Sequence, residues 1–554
     1  MFSEIKFPLL ILIIIFAFSS VICESSSQPS TTSNLLNKDV TYQKQSNFIH
    51  EFNVPNLMEK GLKGIVTDSN DNPWFYYQTN RTSSIIKFNS HNNNFISFPI
   101  EGETLADNSV INLGGGQLIF DEKHKSIWFT DARLNSLGSV DTESGKIELY
   151  RIPTNNSGVM GLILSPDGNS IWFTEIIGNN IGSFDINSKT IKEYPTGEFS
   201  GPTLLAYDST GLLWVTMSYS SSILKVEPWA LIPGSKISGI FEIKLEKPDS
   251  FSPFGIAITN NNNSSELYVS DHGSSRVISS NVTSELKNYT SYWTSPSVAY
   301  PVSLPSQVIS DKKGNVYFVE HGGNRVSKIS TNGLLTEFDI PTGPLATVVY
   351  AAVSSDASKI WFTEWASNRI GYLDNTLIVP LDLEITRALP PSLKSDIPYS
   401  LDISVTRNEN VTNAPLLLDE VQSSLIGMTE SGLQEVTYLT NPQEFDLTNT
   451  TSINGTLKLT VGSDASAGKY TFMLRISTSE KDNVTVSLSY PQTVKVDVPV
   501  HKLQVKNLPA GSIQDSSNAT LIFLRDLAKY GSLVVAMVLI GYLGYRKIKQ
   551  HKNR

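Results

Sequence analysis

The sequence predicts an all-β protein: a seven-bladed β-propeller followed by an immunoglobulin-like β-sandwich, with a C-terminal transmembrane helix. Three observations carry this expectation. An aromatic pair recurs seven times, as WF at 74, 128, 172 and 361, WV at 214, YV at 268 and YF at 317. A period in the forties and fifties with four short β-segments per unit is the signature of propeller blades. Beyond residue 386 apolar residues alternate at period two between polar turns, and residues 530–545 form an apolar run in front of a basic tail.

The composition narrows the function classes. The 554 residues carry 43 Lys plus Arg against 53 Asp plus Glu, a net charge of −10, with 17% charged and 40% hydrophobic residues. Such a chain has the material for a core, which excludes wholesale disorder, and its acidic balance excludes a nucleic-acid partner. The single cysteine, Cys23, excludes a disulfide scaffold and thiolate zinc.

Taken in order, residues 7–18, FPLLILIIIFAF, are too short to span a bilayer but fit the core of a secretory signal. Cleavage after Cys23 makes 1–23 the signal peptide and 24–45 a polar linker. A lipid-modified Cys23 is the rival reading, with Ile22 a poor residue in front of it. At the other end, residues 530–545, YGSLVVAMVLIGYLGY, cover roughly 24 Å as a helix, and Lys529 and Arg546 can snorkel to make up the span. Arg546, Lys547, Lys549, Lys552 and Arg554 in the tail 546–554 put the C-terminus in the cytoplasm. The expectation is a single-pass cell-membrane protein with its bulk outside. Asn-x-Ser/Thr sequons stand at Asn80, Asn155, Asn262, Asn263, Asn281, Asn288, Asn410, Asn449, Asn454, Asn483 and Asn518, which suggests a glycosylated surface protein. Without disulfides it fits a prokaryotic envelope, archaeal by preference.

The propeller is expected over 46–385. Three residues after each aromatic come Tyr77, Asp131, Glu175, Met217, Asp271, Glu320 and Glu364; seven after it come Asn135, Asn179, Asn324 and Asn368, with Ser221 and Ser275 in two other units. NFIHEFNVP, residues 47–55, precedes the first unit as an outer strand without a blade of its own. It is expected to close the ring on the last blade, whose end is read as TLIVPLDLEI. Residues 386–505 then form the sandwich, a spacer above the membrane, and 506–529 a linker.

The repeated PxGI…IWFTE…NRIGxL…TEYxIP unit resembles the streptogramin B lyases (virginiamycin B lyase), seven-bladed propellers that linearise a cyclic depsipeptide by elimination with magnesium. IWFTEWASNRIGYL (360–373) and IWFTEIIGNNIGSF (171–184) are especially close. The resemblance places the family's catalytic histidine just before the Gly-Ile pair of an innermost strand. The corresponding residues here are Lys63, Gly116, Met160, Thr203, Phe254, Ser306 and Tyr350. One metal-binding glutamate maps to Val348. The other falls just after the acid rank, at Gln78, Ala132, Ile176, Ser218, His272, His321 and Trp365. The family's general base is absent from these positions, and elimination needs one.

His272 and His321 occupy one rank in adjacent units and are candidates to bind a divalent metal or act as a base; the plainer reading makes them loop residues. Asp271, Glu320 and Glu364 are each followed five residues on by Arg276, Arg325 and Arg369, which reads as three cross-strand ion pairs. The expected function is binding of a small molecule or surface partner through the propeller face, with Lys63, Tyr350 and Trp365 as ligand-binding candidates. The alternative is a metal-dependent lyase or lactone hydrolase using magnesium or another divalent metal. A purely structural envelope protein is a third possibility.

Overall fold

The computed structural model describes residues 46–105, 115–233, 240–244, 251–261, 264–284, 288–295, 302–343, 346–408, 416–429, 432–433, 437–462, 467–480 and 484–497. The expected signal peptide, both linkers, the apolar run and the basic tail lie outside these residues, as do Asn262, Asn263, Asn410, Asn483 and Asn518. The other six sequon asparagines are all exposed. Among the described residues no helix is long and apolar enough to cross a membrane. The described residues are all-β apart from the short 3-10 turns Pro228–Ala230 and Val282–Ser284.

Each repeat folds into a four-stranded antiparallel meander. The third, for instance, runs Val159–Leu164, Ser170–Glu175, Asn180–Asp185 and Thr190–Pro195, paired in that order. Seven such meanders follow one another. Their first strands lie side by side in sequence order, and Val348–Val353 of the last returns against Leu62–Thr67 of the first, a propeller-like arrangement. The last meander has only three strands of its own. Its fourth is Ile49–Asn53, which pairs with Arg369–Asp374 with Ile49 opposite Leu373 and Asn53 opposite Arg369. A sheet edge that would otherwise invite association is thus covered by the other end of the chain.

The repeated letters have local causes. In the turn before the aromatic strand, Asp68 and Asp208 cap backbone N–H groups and accept the indole N–H of Trp74 and Trp214, both at 2.9 Å. Those indoles are buried, so their N–H needs an acceptor, and the turn supplies it. The hydroxyl two residues after the aromatic ties neighbouring meanders together. Thr174 Oγ1 accepts from Gly161 N at 2.8 Å in its own meander and donates to Thr203 O of the next at 2.5 Å. Thr130, Thr216 and Ser270 do the same toward Met160, Phe254 and Ser306 at 3.0, 2.7 and 2.5 Å, and Thr363 donates to Lys63 O, joining last to first. The sixth meander has Val319 at this position, and there Ser306 Oγ donates to Val349 O at 2.9 Å instead. The glycine of the Gly-Ile pair follows from the same close approach: a Cβ at Gly161 would stand 2.1 Å from Thr203 O.

Past residue 380 the structure departs from expectation. Leu381–Arg387, read from sequence as the end of the last repeat, pairs with Pro398–Arg407, so it belongs to the following region. That region builds two sheets over a common core that includes Leu383, Leu401, Leu457, Phe472, Leu474 and Val494. One of them is continuous with the sixth meander: Thr485–Asp497 pairs along Leu335–Asp339, with Leu335 opposite Ser489 and Phe338 opposite Val486. Phe48, Tyr317 and Phe338 share this core, Glu337 meets Arg475 at 3.3 Å, and both regions form one compact unit. A region expected to be a spacer is built into the repeat array.

Candidate functional site

The innermost strands carry a shared irregularity that decides which side chains face the middle. Six of the seven contain a bulge at the same register, between Leu62 and Ile65, Val159 and Leu162, Pro202 and Leu205, Pro253 and Ile256, Pro305 and Val308, and Val348 and Ala351. The first residue of each bulge is the one whose carbonyl receives the neighbouring hydroxyl. By that criterion the inner ring includes Lys63, Met160, Thr203, Phe254, Ser306 and Val349; in the second meander Gly116 takes the place, its carbonyl lying against Gly64 as that of Thr203 lies against Gly161. Tyr350, aligned to this ring from sequence, stands one position further on, where three other repeats have Gly64, Gly161 and Gly255. It is buried among Leu62, Tyr77 and Trp361, and burial holds its phenol well above the ordinary range.

Above this ring sits a second, made of the residues that follow the acid rank. Ser218 Oγ donates to Pro253 O at 2.5 Å, and His272 Nδ1 donates to Pro305 O at 3.1 Å, the equivalent bond one meander on. This fixes His272 as the Nδ1–H tautomer. Its ring lies 5.6 Å from that of His321 in a stacked arrangement and 5.2 Å from that of Phe254. Burial lowers the pKa of both imidazoles; His321 falls to about 3, with His272 adding to the effect of burial. The two histidines expected to share one rank do stand side by side, but burial favours their neutral forms, and His272 is engaged by the carbonyl of Pro305. Among the described residues no group of three or more His, Cys, Asp or Glu side chains is placed to hold a metal ion. Trp365, in the same ring, is half-buried.

Lys63 and Gln78 occupy the two rings between the first and second meanders. Lys63 Nζ donates to Gln78 Oε1 at 3.4 Å. Burial lowers the Lys63 amine to about 8, against the opposing charge of Asp131.

The acids of the repeat are buried behind these rings. Asp271 meets Arg276 at 3.0 Å and Glu320 meets Arg325 at 3.1 Å, directly across their hairpins as expected. The third pair is rearranged. Arg369 lies opposite Glu364 in register but reaches Asn53, Thr342 and Glu51, at 2.9, 2.6 and 3.8 Å. Sequence reading missed that some of these acids face a second carboxyl from the outer strand. Burial raises Glu175 to about 8 with Glu193 adding to it, and burial raises Glu364 with Glu51 adding to it. Glu320, beside Glu337, rises to about 7 chiefly through burial, against Arg325. The signal was present as a Glu followed by Tyr or Phe in HEFNVP, KEYPTG and TEFDIP.

Asn179 explains the asparagine rank. It adopts a φ of 56°, and its Oδ1 accepts from Ser200 N and Gly201 N at 2.8 and 3.1 Å, clamping the loop into the next innermost strand. Asn135 and Asn324 hold Ser157 and Thr347 in the same way.

The crystal structure of selenomethionine-substituted virginiamycin B lyase from Staphylococcus aureus is 22% identical, with a TM-score of 0.48 over 60% of this chain and 99% of that one. A streptogramin B lyase structure is 22% identical, with a TM-score of 0.48 over 59% and 97%. Hydrazine synthase of Kuenenia stuttgartiensis is 12% identical, with a TM-score of 0.44 over 59% and 99%. No curated protein matches the chain. Residues 47–291, from the closing strand through the fifth meander, match the Virginiamycin B lyase family, and it is this family that the chain resembles.

Proposed function

We propose that this chain is a membrane-anchored extracellular propeller of seven blades, carried on an immunoglobulin-like region, that binds a ligand or surface partner through the face bearing Lys63, Gln78, His272, His321 and Trp365. The observation that supports binding over elimination is the make-up of the two rings. The inner ring contains no histidine and no carboxylate. His272 is spent on bridging to the next blade and on packing against His321 and Phe254, and His321, with a pKa near 3, is a poor base at neutral pH. Met160, Phe254 and Val349 gather in or against one apolar cluster, which makes the middle of the ring a floor rather than a reaction chamber.

The test uses the full chain in detergent. It is incubated with magnesium and a panel of cyclic depsipeptides and lactones, and products are followed by chromatography with mass spectrometry. No conversion is expected. A product of unchanged mass and altered retention means elimination, and a gain of one water means hydrolysis; either overturns the proposal. In parallel the immobilised chain is exposed to envelope extract, and retention of a ligand that Trp365→Ala loses is the expected outcome.

A further inference from the structure

We propose that the free edge of Leu381–Arg387, in the two-sheet region beyond the repeats, is a docking groove for an extended peptide segment with lysine or arginine at alternate positions. This is a second site, apart from the propeller face. Leu381–Arg387 is the end strand of its sheet: Pro398–Arg407 pairs with one side, and among the described residues no strand pairs with the other. Asn408 N donates to Pro380 O. By the alternation of an antiparallel ladder, Asp382 and Glu384 then turn their backbone groups toward the partner strand, and Leu383 and Ile385 turn theirs outward. The Leu383 N–H bears this out, since it bonds at 2.9 Å to the Asp382 Oδ1 beside it.

This edge opens into a groove of about 410 Å3, lined by Asp382 through Ile385 together with Tyr490, Gln492 and, from the sixth meander, Asn332. Asn332 Nδ2 donates to the Tyr490 hydroxyl at 3.1 Å and so holds the phenol in the wall. Tyr490 and Gln492 also stand at a gap. Gly468–Ser479 covers one edge of Thr485–Asp497 throughout; on the other edge Leu335–Asp339 ends opposite Ser489, and Ser392–Lys394 begins opposite Lys495. The groove therefore holds unpaired backbone, which a strand laid along it can satisfy. Asp382 and Glu384 are exposed, alternate along the edge, and have no cation within salt-bridge distance among the described residues. Burial raises the Tyr490 phenol above its ordinary range and both carboxylates add to it, so the three groups share one space. A second copy of this edge would set acid against acid, whereas lysine or arginine opposite each carboxylate is favourable. A peptide carbonyl arriving at the Leu383 N–H displaces Asp382 and frees its carboxylate for the peptide's cation.

The experiment follows the fluorescence anisotropy of a labelled peptide of alternating Lys and Thr, matched to the seven residues of Leu381–Arg387. It is added to the full chain in uncharged detergent at physiological salt. Saturable binding is expected, and the same peptide with Glu for Lys should bind at least about tenfold more weakly. Asp382→Asn combined with Glu384→Gln should weaken the Lys peptide by about tenfold. Ile385→Pro removes an N–H that points away from the ladder, where an edge strand accommodates proline, and should abolish binding once a melt shows the variant folded. A peptide N-methylated at every residue makes the same test without altering the chain. Hydrogen exchange over 381–387 should slow by about tenfold on binding while 170–185 stays unchanged. No binding, or protection elsewhere with none over 381–387, overturns the proposal. So does binding that the N-methylated peptide or Ile385→Pro retains in full, which is charge attraction without strand pairing.

Discussion

Removing the carboxylate of Glu480 should loosen the closing strand at the far end of the chain. Glu480 is buried, and its two oxygens accept from Ser46 Oγ at 2.5 Å and from Asn47 N and Nδ2, both at 2.7 Å. Ser46 in turn accepts from the N–H groups of Phe48 and Ile49 at 3.1 and 3.0 Å, which positions the chain to enter Ile49–Asn53. Each hydrogen bond to a charged acceptor contributes about 1.5–3 kcal/mol, but water can reach this partly exposed site and replace some of it. A net loss of about 2–4 kcal/mol for Glu480→Ala follows, or roughly a hundredfold in the local opening equilibrium. The assay is hydrogen exchange by mass spectrometry on peptides covering 46–53, with 170–185 as the internal control. Exchange in 49–53 should accelerate by about two orders of magnitude while the control stays unchanged; Glu480→Gln, which keeps one acceptor oxygen, should fall between. Unchanged protection of Ile49–Asn53 in Glu480→Ala would show that the strand is held by its ladder with Arg369–Asp374 alone, and would refute the reasoning.

Further outcomes can be checked by thermal or denaturant melts. Glu175 has its pKa raised from 4.5 to about 8, so the folded state holds a proton that the unfolded state releases; its contribution is present below about 4.5 and is lost as the pH rises toward about 8. Glu175→Gln should therefore flatten the decline of stability across that window. Thr174→Val should cost about 2–3 kcal/mol by stranding Gly161 N and Thr203 O, and Met160→Ser should partly restore it, since Ser306 makes the equivalent bridge beside Val319. Asn179→Gly should be milder than Asn179→Ala by about 1 kcal/mol, because glycine tolerates the left-handed backbone while both lose the loop clamp. His272→Ser should keep the bridge to Pro305, as Ser218 makes the one to Pro253, but should cost about 2 kcal/mol through lost ring packing against His321 and Phe254.

Much of this architecture could be read along the chain because the repeat is self-consistent. The aromatic pair, the acid, the asparagine at its fixed offset and the outer strand each recur where a meander needs them, so seven weak signals reinforce one another. The orphan strand at 47–55 was legible for the same reason: it has the letters of an outer strand and no unit in front of it. The two cross-hairpin pairs at Asp271 and Glu320 were legible from a spacing of five residues, which a tight hairpin converts directly into opposition.

Other features depend on neighbours distant in sequence. Placing Val349 rather than Tyr350 in the inner ring required the bulge, and a bulge is defined by the partner strand. That Arg369 turns to Glu51 follows from ring closure, which brings residues more than 300 positions apart into one cluster. That Thr485–Asp497 pairs with Leu335–Asp339 was not legible either, because an outer strand with a free edge looks the same in sequence whether solvent or another strand lies beside it. The setting of Lys63 beside Gln78 was hidden likewise: residue types and ranks are local properties, but the burial of an ammonium belongs to the space between strands. Periodicity is written in the chain because each element must bury one face; what lies against that face is settled only when the elements meet.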